Sequence, residues 1–179
     1  MQRVPAAEFE PALLARLKAL WGNPVNLYRA LGNNPKMVAA WTEFAQAIRA
    51  DSQTPRALRE LMILRSGQIQ DSEYEWAQHL RMARKAGVRE AQIEQLAGWR
   101  ASAEFDPREK AALELLEAVT ACKVTDEVWA IGKAQFSDHE LVELVMTASF
   151  YCMVGRVLDA LQVEMDPDIG EYSPKLPGR

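Results

Sequence analysis

From Pro11 to Val163 the apolar residues recur at helical spacing, and no run shows the strict alternation of β-branched residues that marks a half-buried strand. Most of the nine glycines and nine prolines stand at plausible joints between these runs or beyond them. This patterning predicts an all-α chain. Pro11–Trp21 reads as a first helix ended by Gly22-Asn23-Pro24, and Val25–Leu31 as a second closed by Gly32. Pro35 opens a third, Lys36–Ala50, whose predicted apolar face is Met37, Ala40, Trp41, Phe44 and Ile48. Helices are expected next from Thr54-Pro55 to about Ser66, from Asp71 to Ala86, and from Glu90 to Ala97. Asp106-Pro107-Arg108-Glu109 and Ser137-Asp138-His139-Glu140 are capping-box signatures. They launch helices to about Lys123 and Val163, and Thr125 caps a helix between them. The domain organisation read from this is a helical arm over 1–34, a main domain over 35–165 and an extended tail over 166–179.

Two of these helices carry residues out of keeping with their setting. The segment Leu58–Leu64 is apolar nearly all round, the mark of a buried helix, yet it contains Glu60. In the helix after it, Ser72, Glu75 and His79 fall within about 60° of one another when each residue turns by about 100°. Trp76, Leu80 and Ala83 share that side, while Glu73, Gln78, Arg81, Arg84 and Lys85 lie opposite. A carboxylate and an imidazole one turn apart and facing inward are costly unless paired or used. Glu60 in its apolar helix is expected to hold its proton longer than an exposed glutamate.

Composition narrows the function. The chain has 179 residues, 49% of them apolar, with a net charge of −4. There is no basic patch with interleaved aromatics, so no nucleic-acid partner is expected. No stretch is read as approaching the roughly 20 apolar residues of a membrane span. The first residues lack a signal-peptide hydrophobic region, so a cytoplasmic location is expected. Cys122 and Cys152 are far apart and read as small core residues. No phosphate loop or dinucleotide fingerprint occurs. Ser72 and His79 are about 10 Å apart along one helix axis, too far for direct activation of the hydroxyl. Glu60, Glu75 and His79 would be compatible with zinc or iron as a ligand set.

The run LRELMILRSGQIQDSEYEWAQHLRMARKAGV, with Glu60 nineteen residues before His79 and the string EYEWAQH, resembles the carboxymuconolactone decarboxylase family, which includes the AhpD-like alkylhydroperoxidases. The likeness continues through REAQIEQL and FSDHELVELVMTASFYCMVGRVLDAL. It implies an all-helical AhpD-like fold and a homotrimer or hexamer. In the redox branch of that family two cysteines stand seven and four residues before the histidine, assisted by the upstream glutamate. Those positions here are Ser72, Glu75, His79 and Glu60, so both thiols are missing. Thiol peroxide chemistry by that route lacks its nucleophile. The decarboxylase branch acts on small carboxylated lactones without a cofactor, and the family generally uses no metal, so neither is expected here.

The resulting expectation is a cofactor-independent lyase or isomerase acting on a small organic acid or lactone. His79 would be the general acid/base, Glu75 its partner and Glu60 a second proton carrier. Ser72, Trp76 and Arg65 would contact substrate. Each assignment has a structural alternative: a hydrogen-bonded pair pinning two helices for Glu75 and His79, a brace for Glu60, and a helix cap for Ser72. For Trp76 the alternative is a core position, and for Arg65 a salt bridge. The rival functions are a peroxidase-related protein using Cys122 or Cys152, and a non-enzymatic helical oligomer that binds a small acid.

Overall fold

In the computed structural model, residues 1–170 and Leu176 are described, with the side chain of Trp21 excepted. Every regular element among them is helical: α1 Pro11–Trp21, α2 Asn26–Leu31, α3 Pro35–Gln46, α4 Arg56–Ile69, α5 Glu73–Ala86, α6 Glu90–Gln95, α7 Pro107–Thr120, α8 Asp126–Gln135, α9 Asp138–Leu161 and α10 Pro167–Gly170. A π-helical turn, Ala47–Asp51, continues α3, and a 3-10 turn, Leu96–Gly98, follows α6. The expected extended tail begins instead with α10, and its residues 171–175 and 177–179 lie outside the described residues.

The chain forms two compact units. The first comprises Met1–Ser52 and Arg156–Tyr172. Within it α3 buries Val38, Trp41, Thr42 and Ala45, while Met37 is 64% exposed. The buried face is therefore turned by about one residue from the predicted one. Thr42 is tolerated there because its hydroxyl donates to the Val38 carbonyl at 2.7 Å. Asp166 accepts from the Asn26 backbone N–H at 2.8 Å, which ties the chain after α9 to the start of α2.

The second unit, Gln53–Gly155 with Ser173–Arg179, is organised around α4. One side of α4 (Leu61, Leu64) joins a core with Trp76, Leu80, Leu96 and Leu113. Another side (Leu58, Met62) joins a second core with Leu115, Leu116, Phe136, Leu141 and Leu144. An apolar helix between two clusters leaves no solvent face for Glu60, as its sequence surroundings anticipate.

Both capping signatures act as read. Asp106 accepts from the Glu109 N–H at 2.7 Å, and the Glu109 carboxylate accepts from the Asp106 N–H at 3.0 Å. The Glu140 carboxylate accepts from the Ser137 N–H at 2.9 Å. α9 departs from the sequence reading in one respect. At 24 residues it is long and apolar enough, by length and composition, to cross a bilayer. However, 56% of its most apolar stretch is buried in protein, the pattern of a core helix.

Candidate active site

The α4–α5 connection explains the spacing that stands out in the sequence. Gln70 ends α4, Asp71 takes a left-handed φ of 55°, and the Ser72 N–H donates to the Gly67 carbonyl at 2.9 Å. Aspartate is among the few side chains that accept this conformation at modest cost. The result is a tight turn between antiparallel helices. The two backbones pass close together at Gly67, where a Cβ would lie 3.4 Å from the Trp76 nitrogen, an ordinary van der Waals contact. Glu60 and His79 lie at similar distances on either side of this turn, so the hairpin sets them side by side.

His79 Nδ1–H donates to Glu60 Oε2 at 2.8 Å. Arg56, one turn before Glu60, donates to the other carboxylate oxygen. On the far edge of the ring, Nε2 stands 3.7 Å from Glu75 Oε2, beyond a direct hydrogen bond. The Tyr151 ring from α9 meets the imidazole edge to face, with centroids 5.0 Å apart and planes at 90°. Glu60 is 0% exposed, His79 2% and Glu75 4%.

Burial pushes the Glu60 pKa up, as expected from its apolar helix. The positive charge and hydrogen bond of His79, followed by those of Arg56, outweigh it, and the net shift is downward. Glu60 is therefore an ionised acceptor rather than a carboxyl that keeps its proton. The sequence expectation is reversed by Arg56, four residues upstream, and by the hairpin that brings His79 across. With Glu60 ionised, Nδ1 donates its proton to the carboxylate, and Nε2 is the ring nitrogen turned toward Glu75.

A glutamate whose folded pKa lies below its ordinary value of 4.5 stabilises the fold above that pH. The stabilisation is lost as pH falls through the folded pKa, because the unfolded chain takes up the proton first. Acid unfolding of the wild type is thus expected to begin below pH 4.5, and the stability of Glu60→Gln should fall less steeply over the same range. Denaturant titrations at stepped pH check this; parallel curves would show that Glu60 contributes nothing to the linkage.

The remaining sequence-nominated residues take other positions. Ser72 is the N-cap of α5, its Oγ accepting from the Glu75 N–H at 3.4 Å. Ser72→Ala is expected to cost about 1 kcal/mol by urea unfolding, as for other lost caps, with no change in any substrate KM. Arg65 pairs with Glu117 at 2.7 Å and also donates to Gln68 at 3.0 Å, the salt-bridge alternative. Glu117 in turn accepts from the Trp99 indole at 2.9 Å and pairs with Arg100 at 2.7 Å. Trp76 is 1% exposed within the core, and its indole N–H meets no acceptor among the described residues. Gln78, assigned to the outer side of α5, is buried, with 6% exposure. Cys152 turns its sulfur to the Thr120 hydroxyl at 3.3 Å, and Cys122 is exposed just after α7.

Sequence reasoning gave Tyr151 and Arg56 little or no part in the site. Arg56 was legible as the i−4 neighbour of Glu60. Tyr151 carries no local signal, because its contact with His79 depends on the placement of α9.

Residues 35–118 match the family model of the carboxymuconolactone decarboxylase family, and this segment holds Glu60, Ser72, Glu75 and His79. That segment is just under half of the chain, and over it the chain is similar to that family. One curated relative is the uncharacterised protein YdfG of Bacillus subtilis, 33% identical over 94 residues, which are 51% of this chain and 64% of that protein. The match thus spans just under two thirds of that relative's length. Among solved structures, a peroxidase-related protein from Silicibacter sp. TM1040 superposes with a TM-score of 0.80 at 16% identity, covering 94% of this chain and 93% of that one. A cysteine-to-alanine variant of the debrominase Bmp8 with bound 2,3,4-tribromopyrrole gives a TM-score of 0.78 at 15% identity, over 93% and 94% of the two chains. At these identities the likeness is one of fold: the chain has the all-α AhpD-like architecture.

Proposed function

We propose that this protein is a cofactor-independent lyase or isomerase that moves a proton on a small organic acid or lactone. The observation that carries this reading is the 2.8 Å hydrogen bond from His79 Nδ1 to the ionised, Arg56-braced Glu60. It fixes the tautomer, stabilises an imidazolium, and makes Nε2 the atom that exchanges protons. In a decarboxylation the substrate's C–C bond to its carboxylate breaks, carbon dioxide leaves, and the electron pair enters a dienolate. The imidazolium then delivers the Nε2 proton to carbon, and solvent restores it. In an isomerisation Nε2 removes a proton from one carbon and returns it to another. Glu60 keeps its charge throughout, so its role is to orient and stabilise the ring; the second proton carrier is Glu75, across the 3.7 Å gap. His79 is only 2% exposed and Glu75 4%, so the proposed reaction requires that Nε2 become accessible to substrate.

The thiol alternative has less support, since Ser72 and Glu75 occupy the positions of the redox cysteines and Cys152 bonds to Thr120. Assay of a panel of carboxylated lactones with wild type, His79→Gln and the double variant Cys122→Ala/Cys152→Ala separates the two. Turnover that depends on His79 and survives loss of both thiols is expected. Hydroperoxide consumption that vanishes with the thiols, and no lactone turnover, would transfer the assignment to the redox reading.

A further inference from the structure

His79 is held at its Nδ1 edge by Glu60, a hydrogen bond that anchors one ring atom and does not by itself set the tilt of the ring plane. The Tyr151 ring supplies the missing restraint: it stands perpendicular to the imidazole at 5.0 Å, the edge-to-face geometry aromatic pairs prefer. Tyr151 is 1% exposed, and Phe150 meets it edge to face at 5.4 Å.

The position of Tyr151 is set in turn by a residue of the hairpin itself. Gln70, at the end of α4, donates from Nε2 to the Tyr151 backbone carbonyl at 3.0 Å and to Ser66 Oγ at 2.8 Å. A carbonyl within a helix has a second lone pair for such a donor, but side chains normally cover it. Here Gly155, one turn after Tyr151, leaves the space open. A Cβ at Gly155 would lie 2.6 Å from Gln70 Oε1 and 2.9 Å from Nε2. A glycine inside a long helix is otherwise unfavourable relative to alanine, so the close approach of the Gln70 amide is the physical account of its presence.

We infer that Gln70 and Gly155 are positioning residues: they form a strut from α4 to α9 that sets the Tyr151 ring against His79 and so aims Nε2. Neither touches the reacting atoms. The inference rests on the acid/base role proposed for His79 when it is read through kinetics, but not when it is read through the ring itself.

Gly155→Ala is the decisive variant, because it favours the helix while driving the Gln70 amide away. The groups facing the ring are Glu60 from α4, Glu75 from α5 and Tyr151 from α9. The side-chain 15N signals of His79 report its hydrogen bonding directly, and the chain has only two histidines to assign. In Gly155→Ala the melting temperature should hold or rise while the His79 signals shift and broaden. On any lactone the wild type turns over, kcat should fall roughly 10-fold with KM within about twofold, the scale expected for a misaimed general acid. Gln70→Ala should reproduce both effects, and adding it to Gly155→Ala should change nothing more, since both act on one path. Wild-type His79 signals in both Gly155→Ala and Gln70→Ala would overturn the inference. If Gly155→Ala melts well below the wild type, Gln70→Ala alone decides. Shifted His79 signals in a protein that turns over no lactone would leave the strut standing and remove the proposed reaction instead.

Discussion

Glu60→Ala should cost about 3–5 kcal/mol, the usual penalty for stranding a buried charge partner, and lower the melting temperature by roughly 6–20 °C in a chain of this size. The carboxylate is fully buried and serves two donors at once, His79 Nδ1–H and the Arg56 guanidinium. Removing it leaves the ring N–H without an acceptor in a setting where solvent reaches only 2% of the histidine. Glu60→Gln keeps an acceptor oxygen and the volume but loses the charge, so its melting temperature should fall between those of the wild type and Glu60→Ala. Thermal and urea unfolding of the three proteins tests the ordering. Equal stability of Glu60→Ala and wild type would mean that the ion-paired hydrogen bonds contribute nothing net.

The largest kinetic effect should follow His79→Gln, with kcat/KM on an active lactone reduced about 10²–10⁴-fold, the range for loss of a positioned general acid or base. Its cost to stability should be the smaller of the two, because glutamine can still donate to Glu60. Glu60→Gln should also slow the reaction, since a neutral partner no longer stabilises the imidazolium. Glu75→Gln separates a proton carrier from a bystander. If Glu75 carries protons, its loss lowers kcat and shifts the acid limb of the pH profile. If it only covers the ring, its loss lowers KM or leaves both parameters unchanged. Retention of wild-type kcat/KM in His79→Gln would remove the imidazole from the chemistry.

Much of this arrangement is legible in the chain before any coordinates. The apolar girdle of Leu58–Leu64 gives α4 its buried place, and the capping signatures at Asp106 and Ser137 start α7 and α9 where they are read. The inward face of α5 follows from the 100° turn of an α-helix, with Gln78 the exception. Relations that require tertiary packing are less visible. Spacing within one helix favours Glu75 as the partner of His79, whereas the close bond is made by Glu60 across the hairpin. Local reading therefore ranks the two carboxylates in the wrong order, and burial considered alone gives Glu60 the wrong direction of pKa shift. Arg65, plausible as an anion ligand, faces Glu117 because α7 packs beside α4. The buried face of α3 turns on a threonine that satisfies its own hydroxyl, and hydropathy does not register that.

Proton exchange at carbon, followed by NMR in heavy water on carboxylated lactones, tests most directly whether the Glu60-held imidazole is a proton-transferring group. The expected result is deuterium incorporation at the reacting carbon with the wild type, strongly reduced in Glu60→Gln and absent above the uncatalysed rate in His79→Gln. Equal incorporation by wild type and His79→Gln would contradict the assignment.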